Sequence, residues 1–179
     1  MSSRAVRLAV LSIVVAVTSL APVAATGAAA PADFCASMGL TNATVRPILG
    51  SHVSANVYPN AGQDLGDCLI YDAKSRNASA DVEVYPAGLA SSLTDAYGGG
   101  AKTHKHVTGL APDATLVTGK NNGYRHGGPT LFFTTANAFV TIDGYPPATV
   151  YIGKHKRVRP ATTAKQVTRL AQLVHAHVA

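Results

Sequence analysis

Along this chain, stretches in which apolar and polar residues alternate at period two are separated by stretches in which apolar residues recur at helical spacing. Asp67-Cys68-Leu69-Ile70-Tyr71 is the first clear strand pattern. Asp81-Val82-Glu83-Val84-Tyr85-Pro86 follows it and is expected to pair antiparallel through a turn in the Lys74-to-Ser79 region. That register points Val82 and Val84 inward, and Asp81 and Glu83 outward with Tyr85 alongside them. Thr130 to Thr135 and Ala138 to Asp143 flank Ala136-Asn137 and form the strongest hairpin signal. Val140 and Ile142 make its cleaner core face, against Phe139, Thr141 and Asp143 on the other. Shorter strand patterns lie at His106-Val107 and at Ala114 to Gly119. His52 to Gly66 and Lys120 to Gly128 read as polar, turn-rich segments.

Three segments switch to helical spacing. Thr41 to Gly50 predicts a short helix, capped by Thr41, kept brief by Pro47 and closed by Gly50. Ala87 to Tyr97 puts Leu89, Leu93 and Tyr97 on one face, and the Gly98-Gly99-Gly100 run ends it. At the C-terminal end, Thr163 with Gln166 forms a capping box. Val167, Leu170, Ala171, Val174 and Val178 then line one face. The pattern predicts an α+β fold: a twisted antiparallel sheet of four to six strands with the C-terminal helix packed on it.

The first thirty residues differ from the rest. Arg4 and Arg7 precede an apolar run from Leu8 to Val17, and small residues from Ala24 to Ala32 close the segment. This is the layout of a secretory signal peptide, and the apolar run is short of the roughly 20 residues of a membrane span. Residues 1–32 are therefore expected to be a cleaved signal, cut after Ala32 or Ala28. No cysteine stands at the new N-terminus to take a lipid anchor, and no Arg-Arg pair marks the twin-arginine route. The remaining 33–179 suit one secreted domain, expected to be monomeric and without a transmembrane span. Losing Arg4 and Arg7 lowers the formal charge from +6 to about +4, a mild bias toward anionic surfaces.

Cys35 and Cys68 are the only cysteines. In an oxidising compartment the pair predicts a disulfide, since two thiols make a poor structural zinc site and the spacing is unlike Cys-x-x-Cys.

Taken together, several of these features resemble a known group. They are Cys35 near the mature start, the short helix ending at Gly50, and Cys68 opening a strand with Tyr71 soon after. To these are added Val82-Glu83-Val84, the Gly109-Leu110-Ala111-Pro112-Asp113-Ala114 turn, and paired strands before a terminal helix. The layout looks like the small secreted and lipoprotein domains of actinobacteria, of the two-cysteine DUF3558 type, across most of 33–179. The resemblance implies an envelope or extracellular domain with no catalytic residues to carry over. The chain departs from the lipoprotein members in lacking a lipidated cysteine.

Candidate chemistry is sparse. Lys154, Lys156, Arg157 and Arg159 form the sharpest charge cluster and are the candidate anion-binding residues. They would face an anionic cell-wall polymer, a membrane headgroup or an acidic protein. The cluster carries no aromatic residue and no nucleic-acid module surrounds it, so nucleic acid is not the expected partner. His104 and His106 point the same way if extended and would need His126 or His52 as a third metal ligand; exposed basic residues are the plainer reading. His175 and His177 do not share a helix face. Gly98 to Gly100 and Gly127-Gly128 lack the spacing of a phosphate loop, and neither Gly-x-Ser-x-Gly nor His-Glu-x-x-His occurs. Asn42-Ala43-Thr44 and Asn77-Ala78-Ser79 are formal sequons, expected to be unused. No cofactor, metal or catalytic residue is expected. The functional expectation is a non-enzymatic extracellular or cell-envelope interaction protein; the alternative is a small secreted hydrolase with an unfamiliar active site.

Overall fold

In the computed structural model, which describes residues 32–58, 65–98, 103–118 and 127–178, two antiparallel meanders join edge to edge into one seven-stranded sheet. The first comprises β1 (Val53–Tyr58), β2 (Gly66–Asp72) and β3 (Asn77–Pro86). The second comprises β4 (Thr103–His106), β5 (Thr115–Thr118), β6 (Thr130–Thr134) and β7 (Ala138–Gly144). β3 pairs with β7, which gives the order β1-β2-β3-β7-β6-β5-β4. A separate hairpin, β8 (Ala148–Ile152) with β9 (His155–Arg159), follows. Nearly all of the segment read as a signal peptide, and most of the Lys120-to-Gly128 loop, lie outside the described residues. Among those described, no helix is long and apolar enough to cross a membrane.

The sheet is wider than four to six strands because β1 lies within the segment read as turn-rich. Val53, Ala55 and Val57 do alternate there, and they pair with Asp72, Ile70 and Cys68. The polar residues between them belong to an edge strand, where one face is free to meet water.

Every strand crossing the centre sends alternate side chains to opposite faces. One face collects Cys68, Ile70, Val82, Val84, Leu131, Phe133, Val140 and Ile142, all buried. Helices α1 (Phe34–Ser37), α2 (Asn42–Leu49) and α4 (Ala164–Val178) cover it. Val167, Leu170, Ala171 and Val174 of α4 are buried there as the 3.6-residue spacing predicts, and the Phe133 ring meets His175 edge-on at 5.5 Å. α4 begins at the expected capping box: Thr163 N donates to Gln166 Oε1 at 2.8 Å and Gln166 N to Thr163 Oγ1 at 3.3 Å. Gln166 also donates from Nε2 to the Ile48 carbonyl at 2.9 Å, which ties α4 to α2.

α2 starts on a reciprocal Thr41–Thr44 cap and ends at Gly50, whose φ of 121° suits glycine. The Cys35–Cys68 disulfide, with Cα atoms 5.3 Å apart, clamps α1 to β2. A bridge closing a loop of this length contributes about 3–4 kcal/mol by restricting the unfolded chain.

The opposite face is divided. At one end Tyr85, Val117, Phe132 and Phe139 form a second apolar cluster, with Phe132 and Phe139 ring centres 5.9 Å apart. Leu89 and Leu93, from a 3-10 turn and α3 (Ala90–Gly98), pack against it. The other end of this face is polar.

Candidate functional site

Two constellations stand out, one basic and open, the other acidic and buried.

The basic one is built by turns. Asp72 at the end of β2 organises the β2–β3 turn: its carboxylate accepts from Lys74 N at 2.8 Å and from Ser75 Oγ at 3.1 Å. Arg76 then takes a left-handed backbone with φ of 56°, and both Lys74 and Arg76 are exposed. His52, just before β1, is drawn to the same turn, because its carbonyl accepts from Ala73 N at 3.0 Å. The β8–β9 hairpin closes the other side. His52, Lys74, Arg76, Ile152, His155 and Arg157 line a cleft of about 390 Å³.

The hairpin divides the four cations picked from the sequence. Alternation along β9 puts His155, Arg157 and Arg159 on one face and Lys156 on the other; Lys154 sits in the turn. Arg157 thus reaches the cleft. Lys156 is exposed on the outer face with Tyr151 and Val158. Arg159 is not on the surface at all, being 3% exposed. Its guanidinium donates to the carbonyls of Pro146 and Pro160 and lies 5.9 Å from the Tyr145 ring centre. Burial lowers its pKa, against the pull of Asp72 and Tyr145. Arg159 holds the base of the hairpin.

The histidine set does not assemble through His52. His104 and His106 are exposed on β4, one edge of the sheet, whereas His52 precedes β1 at the other; His126 lies outside the described residues. His175 meets Phe133. His177 packs on Gly39 and its Nδ1 lies 2.8 Å from the Leu173 carbonyl.

The acidic constellation corrects one expectation. Asp81, Glu83 and Tyr85 do share the face opposite Val82 and Val84, but they do not point to solvent: they are 6%, 2% and 8% exposed. β3 is a central strand, with β2 on one side and β7 on the other, so its second face is interior too. The register sets two acid pairs side by side. Asp67 on β2 lies opposite Glu83, and Asp81 lies opposite Asp143 on β7. All four are buried. Like charges directly opposite one another oppose sheet formation.

Neighbouring hydroxyls ease two of these acids. Glu83 Oε2 accepts from Tyr85 Oη at 2.9 Å and from Thr141 Oγ1 at 3.4 Å. Asp143 Oδ1 accepts from Thr130 Oγ1. Asp81 is treated differently: its Oδ1 is buried and receives no hydrogen bond. The groups acting on its charge are Asp67, Glu83 and Asp143, all acids. Burial first, then hydrogen bonding to Asp67 and repulsion from these three, pushes the Asp81 carboxyl up to about 10. Two carboxyls bond each other only when one holds a proton. Tyr145, beside the cluster, has its phenol held above its ordinary value by burial and by the same acids.

Sequence reasoning missed this cluster. Its signal was present as Asp81-x-Glu83-x-Tyr85 and Thr141-x-Asp143, acids at strand spacing beside clean core faces. Recognising it required knowing that β3 and β7 are neighbours at the centre. Comparisons of the chain with family models, with curated proteins and with solved structures find no match.

Proposed function

We propose that this is an exported, non-enzymatic binding domain of the cell envelope or extracellular space, which grips an anionic polymer in the cleft between the β2–β3 turn and the β8–β9 hairpin. The observation that carries the reading is the convergence of Lys74, Arg76 and Arg157, with His52 and His155, on one open cleft from segments about eighty residues apart. Grouped cations around a concave surface raise the local concentration of a polyanion and steer its approach. An open cleft suits a chain lying across it. Lys154 and Lys156 extend the positive surface around the hairpin tip.

Purified cell-wall material and vesicles of anionic lipid are the two probes, each tested by co-sedimentation at low and high salt. The expected result is retention on cell-wall material that fades with salt. Replacing Lys74, Arg76 and Arg157 by Ser should abolish it, and replacing Lys154 and Lys156 should weaken it less. Retention on vesicles alone would move the partner to a lipid headgroup. Retention unchanged by salt and by the triple substitution would overturn the cleft reading.

A further inference from the structure

A group of buried acids is in itself only costly. What distinguishes this one is Asp81. Its side chain is more than nine-tenths buried, and its Oδ1 has no hydrogen-bond donor, although hydroxyls serve Glu83 and Asp143 in the same cluster. One carboxylate oxygen from each of Asp67, Asp81 and Glu83 lies within 4.8 Å of the other two. A buried, undonated carboxylate oxygen on a side chain grouped with two other carboxylates has two ways to be stabilised, a proton or a cation.

We propose that Asp67, Asp81 and Glu83 form a calcium-binding site on the second face of the sheet, separate from the basic cleft and independent of its role. Oxygen-only ligands select a hard cation, and nothing in the triad offers the nitrogen or sulfur that zinc favours. Calcium–oxygen distances of roughly 2.3–2.6 Å place ligand oxygens up to about 5 Å apart across the ion, which accommodates three oxygens within 4.8 Å of one another. Magnesium holds its ligands nearer, at about 2.0–2.1 Å, and retains several waters, which suits a buried triad less well. Three carboxylates more than offset the two positive charges, and Asp143 across from Asp81 deepens the negative field. Tyr85 and Thr141, by bonding Glu83 Oε2, fix its carboxylate and leave the rest of it available to the ion. The triad spans β2 and β3, so the ion would cross-link the strands whose acids otherwise repel.

The purified full chain is stripped with EDTA and titrated with CaCl₂, MgCl₂ or ZnCl₂ by calorimetry, with thermal midpoints recorded in parallel. The expected result is one saturable calcium site per chain, a rising midpoint, and affinity in the ~10⁻⁴–10⁻³ M range of extracellular modules. Asp81→Asn should weaken binding at least tenfold. Glu83→Gln should do the same and serves if the first variant fails to fold. Asp95→Asn, at an exposed position on α3, should bind as the unmodified chain does. The proposal is overturned by the absence of saturable calcium binding up to ~10 mM, by saturable binding of magnesium or zinc alone, or by calcium binding that both cluster variants leave unchanged. In the first of those cases a proton shared by Asp67 and Asp81 is what holds the cluster.

Discussion

Asp81 on β3 and Asp143 on β7 stand directly opposite one another, on the same face of the sheet, where the two meanders join. The seam is therefore held by Val82, Val84, Val140 and Ile142 on the helix-covered face and opposed by carboxyls on the other. A fold that keeps repelling groups at its central junction spends stability there, and such places are where function is expected.

Removing the need to protonate Asp81 should strengthen the metal-free protein. Asp81→Asn keeps the shape and buries a side chain that is neutral in the unfolded chain as well, and should stabilise the fold by about 1 kcal/mol or more at pH 8. The effect should depend on pH. The Asp81 proton is held more tightly in the folded chain, with the pKa moved from 3.8 to about 10. Its stabilising contribution is complete below pH 3.8 and is lost progressively as pH rises toward 10. Urea unfolding in EDTA at pH 5 and pH 8 should show the substitution helping more at pH 8. Equal effects at both values would mean that Asp81 does not carry the linkage.

At the same seam, Ile142 is fully buried between the sheet and α4. Ile142→Ala should cost about 2–5 kcal/mol, the range for a buried aliphatic truncated without collapse of its site. The denaturation midpoint should fall with the slope unchanged. A loss below about 1 kcal/mol would mean that this face is less tightly packed than its burial indicates.

The disulfide gives a third expectation. Mass analysis without reductant should find no alkylatable thiol at Cys35 or Cys68, and two after reduction. Replacing both cysteines by Ala should lower stability by about 3–4 kcal/mol, chiefly by enlarging the unfolded ensemble. Two reactive thiols in the unreduced protein would remove the bridge from the account.

How much of this was legible beforehand follows from the range of each interaction. The capping box at Thr163, the α4 stripe, the turn at Ala136-Asn137 and the alternation of Val82 with Val84 are local, set by residues within a few positions, and the structure contains them as read. Two things were not legible because they depend on which strands become neighbours. The β3–β7 pairing makes the second face interior and buries Asp81 and Glu83. The approach of the β8–β9 hairpin to the β2–β3 turn splits one run of cations into a cleft residue, Arg157, and a buried brace, Arg159. Charge counted along the sequence cannot separate those fates.

The contact between Gly39 and His177 offers the sharpest test of how α4 closes the fold. Gly39 has φ of 74°, and a Cβ placed on it would fall within the His177 ring. Gly39→Ala therefore meets two penalties, a left-handed backbone that disfavours a side chain and a collision with the last turn of α4. The expected loss is about 1–3 kcal/mol. His177→Ala alone should matter less, since the ring is exposed and its one hydrogen-bonding neighbour is the Leu173 carbonyl in its own helix. In the double variant the collision disappears and the backbone strain remains, so part of the loss should return. A double-mutant cycle measured by denaturant unfolding reads this as a coupling energy. Strict additivity would show that the ring does not rest on Gly39, and that only the backbone conformation demands glycine there.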